Sequence, residues 1–87
     1  MSVTVILPRR VLPDPIALDA CATVFEAIEG IERKCPTGFE LLFEKAHGRA
    51  SPRAFIVTFL DGEMITDLNT HPAPGSELMF ATAFSGG

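Results

Sequence analysis

The 87-residue chain has no long apolar run and no block of basic residues. Its longest uninterrupted apolar stretches, such as residues 5–8 and 55–57, span only a few positions. Crossing a bilayer takes roughly 20, so no membrane-spanning helix and no membrane partner are expected. Seven Lys and Arg stand against eleven Asp and Glu, for a net charge of -4. A nucleic-acid footprint needs a Lys/Arg stripe, so nucleic acid is not expected as a direct partner. Cysteine is scarce: Cys21 and Cys35 lie far apart and form no C-x-x-C. A disulfide stays open, but two reduced thiols in a cytoplasmic protein are favoured. The start, Met1-Ser2-Val3-Thr4, has no positive segment leading into a long apolar core, so no secretory leader is expected.

Catalytic constellations are missing as well. There is no Ser-His-Asp set, P-loop or G-x-G-x-x-G. Ser85 has no neighbouring base, and His47 and His71 have no Cys, Asp or Glu at metal-ligand spacing. Both histidines are expected in solvent, and neither a metal nor a bound cofactor is expected. Cys35, at a helix end beside Lys34, is expected to pack inertly against Ile31. The sequence therefore points away from an enzyme.

What is present reads as alternating local periods. Val3-Thr4-Val5-Ile6-Leu7 is β-branched and apolar, and Pro8 ends it, which predicts a strand. Pro13-Asp14-Pro15 is turn chemistry, and Ile16-Ala17-Leu18-Asp19 completes a hairpin. At Thr23 the period changes. Thr23-Val24-Phe25-Glu26 has the form of a capping box, and Val24, Ala27, Ile28, Ile31 and Cys35 recur on one helical face. Pro36 and Gly38 are expected to close that helix, and residues 39–43 to add one more turn. Gly30, in the helix middle, suggests either close packing against a strand or a neutral departure. Residues 45–53, with Gly48, Ser51 and Pro52, read as a loop. Phe55-Ile56-Val57-Thr58-Phe59-Leu60 is the strongest strand, turned by Asp61-Gly62 into Glu63-Met64-Ile65. Residues 77–83 form the last strand.

One helix across one face of a mixed sheet of four or five strands is the compact solution. The predicted class is α+β, with the β-grasp arrangement of ubiquitin over residues 1–83 and a flexible tail over 84–87. This arrangement brings the first and last strands together at the sheet centre.

The segment Phe55-Ile56-Val57-Thr58-Phe59-Leu60-Asp61-Gly62-Glu63 resembles the F-V-N-V-F-L-N-G-E unit of the MoaD/ThiS sulfur carriers. The stretch from Pro74-Gly75-Ser76-Glu77-Leu78-Met79-Phe80 to Phe84-Ser85-Gly86-Gly87 is similar to that family's D-G-D-E-L strand and its V-S-G-G or V-A-G-G tail. The helix T-V-F-E-A-I-E-G-I-E-R-K-C-P resembles T-V-x-E-A-I-x-x-L-x-x-x-Y-P. The likeness covers nearly the whole chain in order. Val57 and Thr58 depart from the family pattern, as does the Pro-Gly-Ser turn.

The resemblance implies a carrier. An E1-like adenylyltransferase/sulfurtransferase, using ATP and Mg²⁺, would adenylate the Gly87 carboxylate and convert it to a thiocarboxylate. A sulfur-accepting biosynthetic enzyme would then take the sulfur. Two alternatives stay open: a ubiquitin-like modifier joined to lysines, and the small subunit of a molybdopterin-synthase-like complex. Phe84, Ser85 and Gly86 would form the tail that carries Gly87 into a cleft; glycines lack the Cβ that blocks a narrow channel. No maturation cut is expected, since Gly87 ends the sequence. Strand alternation places Leu78, Phe80, Thr82, Ile56, Thr58 and Leu60 toward the helix. Phe55, Val57, Phe59, Met79 and Ala81 then lie on an open face, as an apolar docking surface for the adenylating enzyme. The reversed assignment, with those phenylalanines in the core, is the competing reading.

Overall fold

The computed structural model describes residues 2–83. The expected tail, with Phe84, Ser85, Gly86 and Gly87, lies outside the described residues. Nine elements follow one another: β1 (Ser2–Ile6), β2 (Ile16–Asp19), α1 (Val24–Lys34), α2 (Pro36–Leu42), β3 (Phe43–Ala46), β4 (Arg49–Pro52), β5 (Ile56–Leu60), β6 (Glu63–Ile65) and β7 (Glu77–Thr82). Five strands make one mixed sheet in the order β2-β1-β7-β5-β6, and β3 pairs with β4 separately. β1 and β7 run parallel, with Val5 opposite Leu78, and all other pairs are antiparallel. The first and last strands thus meet at the centre, as the element order predicts.

Helix α1 begins as its capping residues require. Thr23 Oγ1 accepts the amide of Glu26 at 3.2 Å. The returning Glu26 carboxylate accepts the amide of Ala22, one residue upstream of the cap, at 3.3 Å. The α1 face carrying Val24, Ala27, Ile28 and Ile31 is fully buried, with Val3, Val5, Leu78 and Phe80 of the sheet in the same cluster. Gly30 sits over β2: a Cβ there would stand 3.1 Å from a methyl carbon of Leu18. Glycine at this position therefore sets how closely helix and sheet approach.

Two expectations are corrected. α1 ends at Lys34, ahead of Pro36 as expected, but the added turn is a separate helix, α2, that starts at Pro36 and stops at Leu42, one residue short of Phe43. Cys35 ends α1 by donating its amide to Ile31 O at 2.7 Å, and its carbonyl accepts from Phe39 at 2.9 Å. Pro36 then occupies the first helical position, where an absent N–H leaves no bond unmade. Residues 45–53 are not a loop but most of the β3–β4 hairpin, with Lys45 opposite Ala50 and Ala46 opposite Arg49. His47 (φ 54°) and Gly48 (φ 77°) both take left-handed backbone, the requirement of a two-residue type I′ turn. Side chains tie this hairpin to the helices. Arg49 lies 4.3 Å from the ring centroid of Phe25, and Lys45 meets Glu32 at 2.7 Å. Phe43, at the start of β3, packs edge-on against Phe80 with ring centroids 5.0 Å apart.

Candidate functional site: the end of the central strand and the open sheet face

β7 is seated by bonds at both ends. Before it, Gly75 donates to Ser2 O at 2.8 Å, and Thr4 donates to Ser76 O at 2.9 Å, so the turn at residues 74–76 grips β1. Gly75 has φ 84°, a conformation that side chains with a Cβ resist. On the other flank, Asp61 donates its amide to Glu77 O at 2.8 Å, and its carboxylate accepts the Glu77 amide at 2.9 Å. Beyond the strand, Ala83 donates to Phe55 O at 2.7 Å. Pairing thus continues past β5 itself, onto the residue before it, as far as the last described residue. β7 thus lies in the middle of the sheet, between β1 and β5.

The two faces of the sheet differ in kind. Val3, Val5, Ile16, Leu18, Ile56, Thr58, Leu78 and Phe80 are buried beneath the helices. Leu60 is partly buried against this cluster, and Thr82 is exposed, because the covered region ends at Phe80. Phe59, Val57, Met79 and Ala81 are partly buried and stand outside the core cluster. The strand register aligns them. Met79 faces Phe59, Ala81 faces Val57, Ile6 pairs with Met79, and Met64 pairs with Phe59. Ile6, Met79, Phe59 and Met64 thus form one apolar row across four neighbouring strands, ending in Met64 at 61% exposure. Phe55 differs from the grouping expected of it: it precedes β5 and packs against the core cluster.

Ile6 and Met64 were not singled out by sequence reasoning. Alternation within β1 could have found Ile6, since Val3, Val5 and Leu7 take the opposite face. Met64 needs the β5–β6 register, which the Asp61-Gly62 turn sets with φ of 50° and 84°.

Other chemistry-bearing side chains do not gather. Among the described residues no three His, Cys, Asp or Glu could hold a metal ion. His47 and His71 are exposed, and His71 Nδ1 lies 3.0 Å from Ala22 O, tying the 67–74 segment to the start of α1. Both cysteines are free thiols. Burial, with smaller contributions from Glu26 and Asp19, pushes the Cys21 thiol above its ordinary value, and Arg33 opposes the shift. Cys21 Sγ is 3.1 Å from Asp19 O, as a donor. Cys35 is partly buried against the core. No helix of the described residues is long and apolar enough to cross a membrane.

A mixed five-stranded sheet in this order, crossed on one face by α1, is the ubiquitin-like β-grasp fold. Several solved structures share it with this chain. CysO of Mycobacterium tuberculosis, described as an antigen, is similar at TM-score 0.75 and 20% identity, over 94% of this chain and 99% of that one. SAMP1 of Haloferax volcanii is similar at TM-score 0.75 and 24% identity over 100% of both chains. A chain of the BexX/CysO complex of Amycolatopsis orientalis is similar at TM-score 0.72 and 25% identity, over 98% of this chain and 99% of that one. No family model matches the sequence, and no curated protein does.

Proposed function

We propose that this chain is a ubiquitin-like sulfur carrier whose reactive group is the Gly87 carboxylate. The carrying observation is the seat of β7: a central strand, held through Ala83, that precedes Gly86-Gly87 by a few residues. The motif resemblance to MoaD/ThiS carriers and the likeness of fold to CysO, SAMP1 and the BexX/CysO chain support the same reading. A carboxylate is a poor electrophile. Attack of its oxygen on the α-phosphorus of ATP, on an E1-like partner, releases pyrophosphate and makes an acyl-adenylate. Positioning and Mg²⁺ charge neutralisation accelerate that step, and the partner supplies both. A sulfur nucleophile then displaces AMP at the carbonyl carbon, and the thiocarboxylate left on Gly87 passes sulfur to a biosynthetic enzyme.

This chain's own contribution is docking and reach. Four residues beyond Ala83 extend at most about 14 Å, enough to enter a cleft while the body stays outside. The apolar row of Ile6, Met79, Phe59 and Met64, with Val57 and Ala81 beside it, is the surface proposed to meet the partner. An open sheet face of this composition is unlike ordinary solvent surface.

The test is ATP-dependent adenylation of the full chain by the E1-like enzyme of its host, followed by intact mass. Exchange of one oxygen for sulfur on the intact chain is the expected product. Deleting Gly87 should leave the melting temperature unchanged and abolish adenylation. Turnover of ATP by the truncated chain would overturn the mechanism. Higher-mass conjugates surviving denaturing gels would move the acceptor from sulfur chemistry to protein lysines.

A further inference from the structure

The sheet carries its charges unevenly from end to end. Asp19 ends β2, Asp61 turns β5 into β6, Glu63 starts β6 and Glu77 starts β7. The register sets Ser2 opposite Asp19, Thr4 opposite Glu77 and Leu60 opposite Glu63, so these carboxylates share the end where β7 begins. The parallel β1–β7 pair sends both strands toward the opposite end. There β1 runs out through Pro8 into a turn whose tip is Arg9-Arg10, closed by Val11 N donating to Pro8 O at 2.8 Å. Both arginines are exposed, and among the described residues neither has an ion pair. Asp14 is the one acid in the same connection, on the approach to β2.

The two ends are separate electrostatic objects. From Glu77 to Ala83 is six residues of strand, about 20 Å, while charges in physiological salt are screened beyond about 8 Å. A partner that meets the exit end therefore senses the arginines and not the chain's negative total. When the tail is threaded, its terminal carboxylate lies up to about 14 Å beyond Ala83, while Arg9 and Arg10 stay with the body. That reach would set them at the mouth of a cleft, away from ATP phosphates at its bottom.

We infer that Arg9 and Arg10 form a cationic collar at the exit of the tail, complementary to an acidic rim around the cleft of the adenylating partner. The inference rests on the proposed carrier function and adds to it a partner chemistry and an orientation. The apolar row supplies contact area, whereas the collar and the acidic far end align the domain so that the tail approaches the cleft first. Charge complementarity of this kind acts on encounter rate and register more than on the chemical step.

The experiment follows pyrophosphate release by the host's E1-like enzyme with the full chain as substrate, across a salt series. Wild-type turnover is read first: without it the carrier function fails, and the collar falls with it. Given turnover, Arg9→Gln/Arg10→Gln should raise KM about tenfold at low salt, with kcat unchanged and a flatter salt dependence. The control Ser2→Asp/Ala20→Asp brings the net charge to the same value at the opposite, exposed end, and its KM should move less than twofold. The wild-type KM should rise with salt toward that of the glutamine variant. An unchanged KM in Arg9→Gln/Arg10→Gln, or an equal rise in the control, would overturn the inference while leaving the carrier function standing. Among the described residues the substituted side chains make no hydrogen bond or ion pair, and equal melting temperatures check that.

Discussion

Phe59 and Phe80 lie on adjacent strands and face opposite ways, so one substitution made at each position measures the two sides of the sheet. Phe80 is 1% exposed and packs edge-on against Phe43. Truncation to Ala there loses the transfer free energy of the ring and leaves a void under α1, and the two together cost about 3–5 kcal/mol. Phe59 is partly buried between Met79 and Met64 on the uncovered face. Water fills the space its ring vacates, so the cavity contribution vanishes. Full burial of a Phe is worth about 1.5–3 kcal/mol, and partial burial leaves about 1–2 kcal/mol for Phe59→Ala. Urea unfolding followed by circular dichroism resolves the difference, since the slope scales with exposed surface and should be the same for both variants. In a domain of this size, each kcal/mol is about 4–8 °C of melting temperature. Phe59→Ala should remain folded at room temperature, and Phe80→Ala should be marginal. Equal losses, or a greater loss for Phe59→Ala, would refute the assignment of faces and with it the proposed docking surface.

Phe59→Asp should keep a folded domain and raise the KM for the proposed adenylating partner more than tenfold, as loss of a central apolar anchor does; a kinetic titration beside circular dichroism checks both halves. Thr23→Ala should cost about 1 kcal/mol through loss of the cap to Glu26, with Thr23→Ser recovering most of it in thermal melts. Cys21 should react with iodoacetamide more slowly than Cys35 in the native chain, by peptide mass spectrometry, since burial disfavours its thiolate. Because the folded thiol titrates above its unfolded value, its contribution to stability is whole below that value and is lost as pH rises through the raised one. Alkaline conditions should therefore weaken the native state and speed the labelling of Cys21 together. Equal labelling of the two cysteines at neutral pH would contradict this environment.

The elements that announced themselves were those whose burial has a simple period. β5 and β7 alternate and α1 repeats every three to four residues, because each buries one face against the other. The β3–β4 hairpin escaped because it is short and mostly exposed, with Ser51 and Pro52 in β4 and Gly48 at its turn. Its buried anchors are Phe43 and Ala50, and the rest of its hold comes from Arg49 over Phe25 and Lys45 on Glu32. Such partners are distant in sequence, so periodicity cannot register them. Pro36 marked the end of α1 but not the start of α2, for a related reason. Proline stops a helix from within and starts one at its first position, and across the turn made by Cys35 it does both. On the open face, alternation placed Val57, Phe59, Met79 and Ala81 together. Phe55 departs because it stands outside β5, where neighbouring packing, not strand alternation, directs the side chain.

The seating of β7 between β1 and β5 also constrains when this protein can exist at all. A growing polypeptide that has made everything through β6 still has a gap in the middle of its sheet, with β1 and β5 both short of a neighbour. Closure waits for residues 77–83, and it joins segments more than 70 positions apart, the kind of distant pairing that slows folding. A synthesis product broken off before that point would have neither an intact sheet nor its central strand. The far end of β7 is therefore in place only once the whole sheet is built.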